Sequence, residues 1–401
     1  MAKIKFKKRT NWITVFFFQL CVIANNVVGH DKNLFVISKI IMLLFFGVVL
    51  LQVLQKGKVQ YNHILLIPIL FTVYCGASMF WAYEPNNVVS QMVTQVQLLL
   101  LMLFTFWAMH DGVTLLDYVK AVYLSGYGLI ALVIVQQGGP IAYINKMLDG
   151  VRIGGMYSNT FGMVFSSAAL SATYYMILRN KKKHFWSFLL MSLFALSTGS
   201  RKAVVIIIAG VIGIALLHYG WRRLYKTILI IAGIVVLSIW ILQMPYFKSI
   251  SLRVTQMLQG ETSASDFYRQ EMIAYGWELI QEKPVFGYGL NNYTALYFRN
   301  EYAHNNYIEV WVGGGIVGLI LYYLMLLIPV ATLFLNRKKG EKLEPLQLII
   351  IVFFIMEMAC GIALVQLYRK NSWILIGVLM AAAAQKQKKT MLQEKVNESG
   401  Q

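Results

Sequence analysis

The sequence predicts an all-α protein whose helices form one bundle within a membrane, and three observations support this fold class. Of its 401 residues, 58% are hydrophobic and 13% are charged, whereas soluble domains carry about 25% charged residues. The mean hydropathy is +0.61. The apolar residues lie in long runs separated by short polar segments. We therefore expect residues 1–401 to form a single integral membrane domain with one large loop, and no ordinary soluble fold.

A helix needs roughly 20 apolar residues to cross a bilayer, and about 12 runs in the chain approach or exceed this length. The seventh and eighth runs are short and are separated by Thr198-Gly199-Ser200-Arg201-Lys202, where a re-entrant bend would lower the number of spans. The predicted spans are 12–29, 34–54, 63–82, 88–110, 115–136, 157–178, 184–199, 202–219, 224–244, 304–335, 345–367 and 371–385.

The net charge of +19 is distributed in a way that predicts topology and not nucleic-acid binding. Cationic loops are retained on the cytoplasmic side of the membrane. An even number of spans with both termini in the cytoplasm places nearly every basic run inside. The polar tail 386–401 is then cytoplasmic, and the long polar segment 245–303 is extracytoplasmic. The basic runs lie at 3–9, 56–58, 179–183, 222–226, 337–342 and 386–389.

The segment 245–303 is expected to contain one amphipathic helix. A helical pattern runs from Asp266 to Glu282 and ends before Lys283-Pro284, because proline disfavours a helical conformation in the residue before it. Such a helix can lie on the membrane surface or cover the bundle. The apolar residues that recur at helical spacing are Phe267, Ile273, Ala274, Trp277 and Ile280.

A few cations depart from the charge pattern, because the same topology places them on the outer side. Arg201 and Lys202 directly follow a Gly-Ser turn at a predicted membrane boundary. Arginine suits bidentate binding of phosphate oxygens. These cations predict either a site for an anionic lipid head group, such as a lipid-linked phosphate or diphosphate, or contacts with ordinary phospholipids. The outer cations are Arg152, Arg201, Lys202, Arg253, Arg269, Arg299, Arg369 and Lys370.

A polar cluster that begins with His304 opens a long apolar helix. Ionisable groups at such a position are costly in lipid, which favours a functional role. Asn305 and Glu309 are four residues apart and share one helix face. A neutral imidazole is an ordinary acceptor of a hydroxyl proton, so His304 is a candidate general base; the alternative is a hydrogen bond to a neighbouring loop. The spacing of Gly314 and Gly318 predicts close helix packing.

Other catalytic signatures are absent from the sequence. The six histidines are scattered, with no pair at the spacing of metal ligands. A P-loop, a GxSxG motif and a DxD motif are missing. The three cysteines all lie within apolar runs, where we expect buried side chains and no disulfide. We therefore predict a site that uses neither a metal nor another cofactor, and any glycosyl transfer there would not use a nucleotide-sugar donor.

Four motifs between about residues 150 and 325 occur in a characteristic order. They are Thr198-Gly199-Ser200-Arg201, Arg269-Gln270-Glu271-Met272-Ile273, Glu282-Lys283-Pro284-Val285-Phe286-Gly287-Tyr288-Gly289, and His304-Asn305 followed nine residues later by Gly315-Ile316-Val317-Gly318. Together they resemble the signature of the O-antigen ligase and Wzy-type polymerase superfamily, with Ile273 where leucine is usual. The segment from Arg152 to Asn159 resembles a weaker upstream motif, although it lacks the usual Asn-Pro-Asn.

The resemblance implies a membrane-embedded C-type glycosyltransferase acting on an undecaprenyl-diphosphate-linked glycan at the outer face of the bacterial inner membrane. It implies that Arg201 and Arg269 bind the diphosphate and stabilise it as leaving group. His304 would take the proton of the acceptor hydroxyl, and the anomeric carbon would be inverted. These three are the predicted catalytic residues. The residues predicted to bind substrate are Arg152, Lys202, Asn305, Glu309 and Tyr288.

The predicted function is polymerisation of lipid-linked repeat units for an O-antigen, a capsule or an exopolysaccharide. One alternative is an O-antigen ligase, which passes the glycan to lipid A core or another acceptor. The other is a flippase or transporter for lipid-linked glycans, which should carry ionisable residues at mid-bilayer; Glu357 is the clearest such residue. The expected partners are the lipid-linked glycan, the bilayer, and a chain-length regulator and flippase of the same pathway.

Overall fold

The computed structural model describes residues 11–220 apart from 32, 58, 150 and 152, residues 264–336 and residues 343–398, with a few separate positions between 221 and 263. Every regular element within these ranges is helical. Eight helical segments of the described chain are long and apolar enough to cross a membrane. The predicted fold class, a polytopic all-α membrane bundle, is therefore confirmed.

We number the helices α1 to α14 in chain order. The bounds of the first nine are α1 Trp12–Val27, α2 Phe35–Lys56, α3 Leu66–Ala77, α4 Pro85–His110, α5 Leu115–Gln136, α6 Pro140–Leu148, α7 Ser158–Thr173, α8 His184–Ser197 and α9 Arg201–Tyr219. The bounds of the rest are α10 Ala264–Glu282, α11 Tyr293–Leu296, α12 Asn306–Leu335, α13 Pro345–Cys360 and α14 Lys370–Glu398.

The described residues contain eight helical segments that could cross a membrane, fewer than the predicted twelve. The predicted spans that correspond to α1 and α8 are apolar helices of 16 and 14 residues, shorter than a bilayer needs. More than half of the predicted span 224–244 lies outside the described residues. Helix α14 continues well past the predicted end of the last span, at residue 385, and the polar tail is helical as far as Glu398.

Helices α7, α9, α12 and α14 all begin at the same end of the bundle, which we call the mouth. Gly162 of α7 lies against the turn that precedes α9. The Nζ of Lys202 donates to the carbonyl of Ala363, in the segment before α14. Helix α2 also begins here, because the Nζ of Lys370 lies 3.1 Å from the Oγ of Ser38. The described basic residues at the end of α2 and after α7, which are Lys56 and Arg179 to Lys183, therefore lie toward the opposite end.

The centre of the bundle is the first half of α14. Every residue from 372 to 384 is buried, which is typical of a helix surrounded by other helices. Gly377 allows close contact with α4, since a Cβ at this position would lie 2.7 Å from the carbonyl oxygen of Met102. The central helix therefore fixes where the loop before it, residues 361–369, reaches the mouth.

Residues 264–303 form a cover over the mouth, with a small hydrophobic core of its own. Helix α10 turns Met272, Leu279 and Ile280 into this core. Two residues of the apolar face predicted for this helix, Phe267 and Trp277, are 60% and 47% exposed. Trp277 is nevertheless partly covered, because its ring lies against that of Trp311 with the centroids 5.6 Å apart.

Helix α12 is interrupted at Gly315, whose φ of +60° lies in the left-handed region. The run 284–289, which follows α10, fills the interruption. The amide of Ile316 donates to the carbonyl of Pro284 at 2.8 Å. A Cβ on Gly315 would overlap the carbonyl of this run, so glycine is required. The end of α10 is thereby held against α12.

The predicted close packing at Gly314 and Gly318 is confirmed. A Cβ on either glycine would lie 3.5 Å or 3.1 Å from the ring of Tyr74, and the hydroxyl of Tyr74 donates to the carbonyl of Gly314 at 2.6 Å. Gly314 and Gly318 allow α12 to pack against α3, whereas Gly315 makes room for the backbone of residues 284–289.

Candidate active site

The turn between α8 and α9 places two cations at the mouth. Gly199 adopts a φ of +63°, and Arg201 and Lys202 are the first two residues of α9. Ser200 precedes them and is 2% exposed, yet its side chain makes no capping hydrogen bond. The first amides of a helix lack intrahelical partners and carry a partial positive charge. The beginning of α9 therefore combines two cationic side chains with a helix end suited to an anion.

The beginning of α12 is built in a different way, because its amides are capped from within. The Oδ1 of Asn305 accepts hydrogen bonds from the amides of Tyr307 and Ile308 at 2.9 and 3.1 Å. The carboxylate of Glu309, which is 3% exposed, accepts one from the amide of Ala303 at 3.0 Å. Both side chains thus hold the backbone on either side of His304.

His304 itself has an unusual backbone conformation, with a φ of +51°. A residue other than glycine is rarely left-handed, and such conformations occur most often at functional sites. The ring centroids of His304 and Tyr302 lie 4.1 Å apart, so the tyrosine covers one face of the imidazole. The two caps on either side keep the backbone in this conformation.

Arg269 reaches the site from α10. This helix contacts α12 closely, because Gly276 leaves room for the side chain of Ile308. The hydroxyl of Tyr293 donates to the carbonyl of Met272 at 2.6 Å, which fixes α10 one turn from Arg269. The positive charge of Arg269 acts on both His304 and Lys202, so the three side chains lie within electrostatic range of one another.

The electrostatic surroundings keep the imidazole neutral. Burial, together with the smaller effect of the charges of Arg269 and Lys202, lowers the pKa of His304 to about 4. The ordinary pKa of histidine is about 6.5, so His304 carries no charge near pH 7. A neutral imidazole beside cations has a free nitrogen that can accept a proton.

The structure brings together four of the predicted site residues: Arg201, Lys202, Arg269 and His304. Asn305 and Glu309 adjoin them, but their side chains bind the backbone of the same segment, and their contact with substrate stays a prediction. Tyr288 lies elsewhere: its hydroxyl donates to Glu282 and its ring lies 4.5 Å from the Nζ of Lys283. Arg152 lies outside the described residues.

Two features of the mouth are missing from the sequence prediction. Asn306 is 1% exposed and accepts hydrogen bonds from two amides of the loop 361–369. The ring of Tyr302 packs against that of His304 at an interplanar angle of 39°. Asn306 adjoins Asn305, so its position within a polar cluster was a usable signal, but the sequence gives no sign of a partner 60 residues away.

The geometry suits an anionic group held between the start of α9 and Arg269, with a neutral base alongside. In the described parts of the chain, no group of three or more His, Cys, Asp or Glu side chains is placed to hold a metal ion. The described cations are therefore the groups that would balance negative charge here.

Fold and site together define a multi-pass membrane protein with a cationic site that contains histidine at the mouth of its helical bundle. Residues 186–323 match the family model described as O-antigen ligase, which confirms the predicted resemblance. The match covers about a third of the chain and includes Arg201, Arg269 and His304. It supports a membrane enzyme of the glycan-processing ligase and polymerase type. A comparison with curated proteins finds no match.

Proposed function

We propose that the protein is a glycosyltransferase that polymerises undecaprenyl-diphosphate-linked repeat units of a surface polysaccharide. The observation that carries the proposal is the combination of Arg201 and Lys202, at a helix N-terminus that the side chain of Ser200 does not cap, with Arg269 and a neutral histidine. The cations suit a diphosphate, and the histidine suits an acceptor hydroxyl.

The donor diphosphate binds between α9 and α10. Like charges repel one another at short range, so Lys202, Arg201 and Arg269 together favour a ligand with more than one negative charge. The guanidinium groups can bind phosphate oxygens in pairs, and the N-terminus of α9 adds its dipole. Because negative charge grows on the diphosphate as the sugar–phosphate bond breaks, these groups stabilise the transition state more than the ground state.

His304 acts as general base on the acceptor hydroxyl. Its nitrogen takes the hydroxyl proton while the oxygen forms a bond to the anomeric carbon. The bond from that carbon to the phosphate oxygen breaks, and the diphosphate leaves with the electron pair. Attack opposite the leaving group inverts the configuration. The bound diphosphate also offsets the charges of Arg269 and Lys202, which raises the pKa of His304 and makes it a better base when donor is present.

The site works without a metal, because the arginines neutralise the leaving group. Activity on purified lipid-linked donor should therefore persist in a chelator. Abolition by EDTA with rescue by Mg²⁺ or Mn²⁺ would contradict this part of the proposal.

The mouth faces the outside of the bacterial inner membrane, and both termini are cytoplasmic. The support is that the described basic residues Lys56 and Arg179 to Lys183 lie toward the end opposite the mouth, as residues of cytoplasmic loops do. Two exposed asparagines with positive φ, Asn300 near the mouth and Asn180 at the other end, offer a matched pair. The three native cysteines are buried. Asn300→Cys should react with an impermeant thiol reagent in intact cells, and Asn180→Cys only after lysis.

A ligase is the second candidate, since the matching family model carries that description. Reconstitution with purified lipid-linked repeat units separates the two. A polymerase lengthens the glycan with donor alone, whereas a ligase forms product only when lipid A core or another acceptor is added. Donor movement across the bilayer without any new glycosidic bond would indicate a flippase. A flippase and a chain-length regulator of the same pathway are the expected protein partners.

A further inference from the structure

The loop 361–369, between α13 and α14, forms a side of the mouth that lies outside the family match, which ends at residue 323. Asn306 holds this loop: its Oδ1 accepts hydrogen bonds from the amides of Gln366 and Leu367 at 2.8 and 2.9 Å. The Nζ of Lys202 donates to the carbonyl of Ala363. The loop is thus fixed both to the helix that follows His304 and to the helix that begins with Arg201.

Arg369 ends this loop, directly before α14. Its amide donates to the carbonyl of Gln366 at 2.9 Å, and its carbonyl accepts from the amide of Ser372 at 3.1 Å. The charge of Arg369 acts on Lys202 and, together with that of Arg269, on Tyr302. Since the ring of Tyr302 packs against that of His304, the guanidinium of Arg369 lies within electrostatic range of the candidate active site.

The guanidinium of Arg369 has few protein partners for its five N–H donors. In the described part of the chain its hydrogen bond runs from Nη1 to the thioether of Met163 at 3.3 Å, and a thioether is a weak acceptor. No carboxylate of that part lies within 4.0 Å of it. Arg369 and Glu357 border one cavity of about 70 Å³ and interact electrostatically, but the hydrogen bond that the carboxylate of Glu357 accepts comes from the hydroxyl of Ser372.

We propose that Arg369 is a third arginine of the donor site and binds a phosphate oxygen of the same lipid-linked diphosphate as Arg201 and Arg269. The inference rests on the proposed function. Asn306 and Lys202 act as positioning residues for the loop that carries it. A diphosphate presents oxygens on two phosphorus atoms, so a third planar fork can contact oxygens that the first two leave free.

The test compares Arg369→Gln with Arg299→Gln in purified protein reconstituted in nanodiscs. Arg299 is a matched control, because it is another arginine near the mouth but its guanidinium stacks on Tyr268 at 4.1 Å. Arg369→Gln should raise the KM for lipid-linked donor about tenfold, the effect of losing one charged hydrogen bond, with a smaller change in kcat. The inhibition constant of inorganic pyrophosphate should rise by a similar factor. Arg299→Gln should change neither.

Arg369→Lys keeps the positive charge beside Glu357 and loses the fork, so it decides the matter if Arg369→Gln fails to insert. A raised KM in the lysine variant supports the proposal, and a wild-type KM overturns it. The variant Arg201→Gln distinguishes a failure of the inference about Arg369 from a failure of the proposed function. If Arg201→Gln loses turnover while both Arg369 variants bind donor and pyrophosphate normally, only the third arginine is refuted. If the wild-type protein does not turn over the lipid-linked donor, the proposed function itself fails.

Discussion

Two helices begin side by side at the mouth, and their first turns are built in opposite ways. At the start of α12, Asn305 and Glu309 bind backbone amides around His304. At the start of α9, Ser200 occupies the capping position, and its buried hydroxyl has no hydrogen-bond partner among the described residues. One helix end satisfies its own amides, and the other is not capped by its serine.

The difference indicates that one helix N-terminus positions a catalytic side chain and that the other binds a ligand. A capped N-terminus holds a strained residue in one place, which general-base catalysis needs, because proton transfer requires fixed geometry. An uncapped N-terminus is available to an anion. We infer that α12 was built to hold His304 and α9 to receive the diphosphate, and four predictions test this division.

The largest effect is expected at His304. General-base catalysis contributes about 100- to 10,000-fold, so His304→Gln should lower kcat by a factor in that range. Donor affinity should be nearly unchanged, because the cations of α9 and α10 hold the diphosphate. Cells should accumulate single lipid-linked repeats in place of long chains. Weakened donor binding with an unchanged kcat would show that His304 binds the donor and does not act as the general base.

The next effect is expected at the start of α9. Arg201→Lys keeps the charge and loses the bidentate fork, and a charged hydrogen bond contributes about 1.5 to 3 kcal/mol. Turnover at low donor concentration should fall about tenfold to a hundredfold, while the protein inserts normally. Arg269→Lys should behave alike. Full activity in both variants would reduce these arginines to contacts with phospholipid head groups.

A smaller effect distinguishes the two capping positions directly. Replacing a capping side chain by alanine costs typically about 1 kcal/mol. Asn305→Ala should therefore lower the thermal stability of the purified protein and reduce kcat, because the backbone at His304 is released. Ser200→Ala should cost almost no stability, since the serine hydroxyl makes no capping bond. Equal losses in the two variants would show that the helix ends are alike and that the contrast is false.

The parts of this site that the sequence predicted are those encoded by local patterns. The spans could be predicted from long apolar runs, and the cluster at His304 is visible because polar residues stand at the beginning of such a run. The hydrogen bond between Asn306 and the amide of Gln366 could not be predicted, because one asparagine has many possible partners and the two residues lie 60 positions apart in the sequence. Periodicity predicted an amphipathic helix at α10, but periodicity alone cannot say which of its apolar residues pack inward.

The role of the glycines in the long helix shows the same limit. Their spacing predicted packing against another helix, and Tyr74 confirms it for Gly314 and Gly318. The break at Gly315 depends on a run of backbone from the cover, residues 284–289. A contact made by main-chain atoms leaves little trace in side-chain patterns, so only the structure reveals it.

The smallest effect is a displacement of the pH profile, and it tests whether the two helix ends communicate. In the free protein the pKa of His304 is about 4, and the base must be unprotonated to act. The acid limb of kcat/KM reports the free enzyme and that of kcat reports the complex with donor. Bound diphosphate offsets Arg269 and Lys202, so the pKa of His304 rises in the complex. The acid limb of kcat should therefore lie at higher pH than that of kcat/KM.

The variant Arg269→Gln removes one cation and should move the acid limb of kcat/KM to higher pH, toward the ordinary pKa of histidine. If His304 instead bound the diphosphate as an imidazolium, wild-type activity would rise as the pH falls. The start of α12 would then bind the donor as well, and the proposed division between the two helix ends would be wrong.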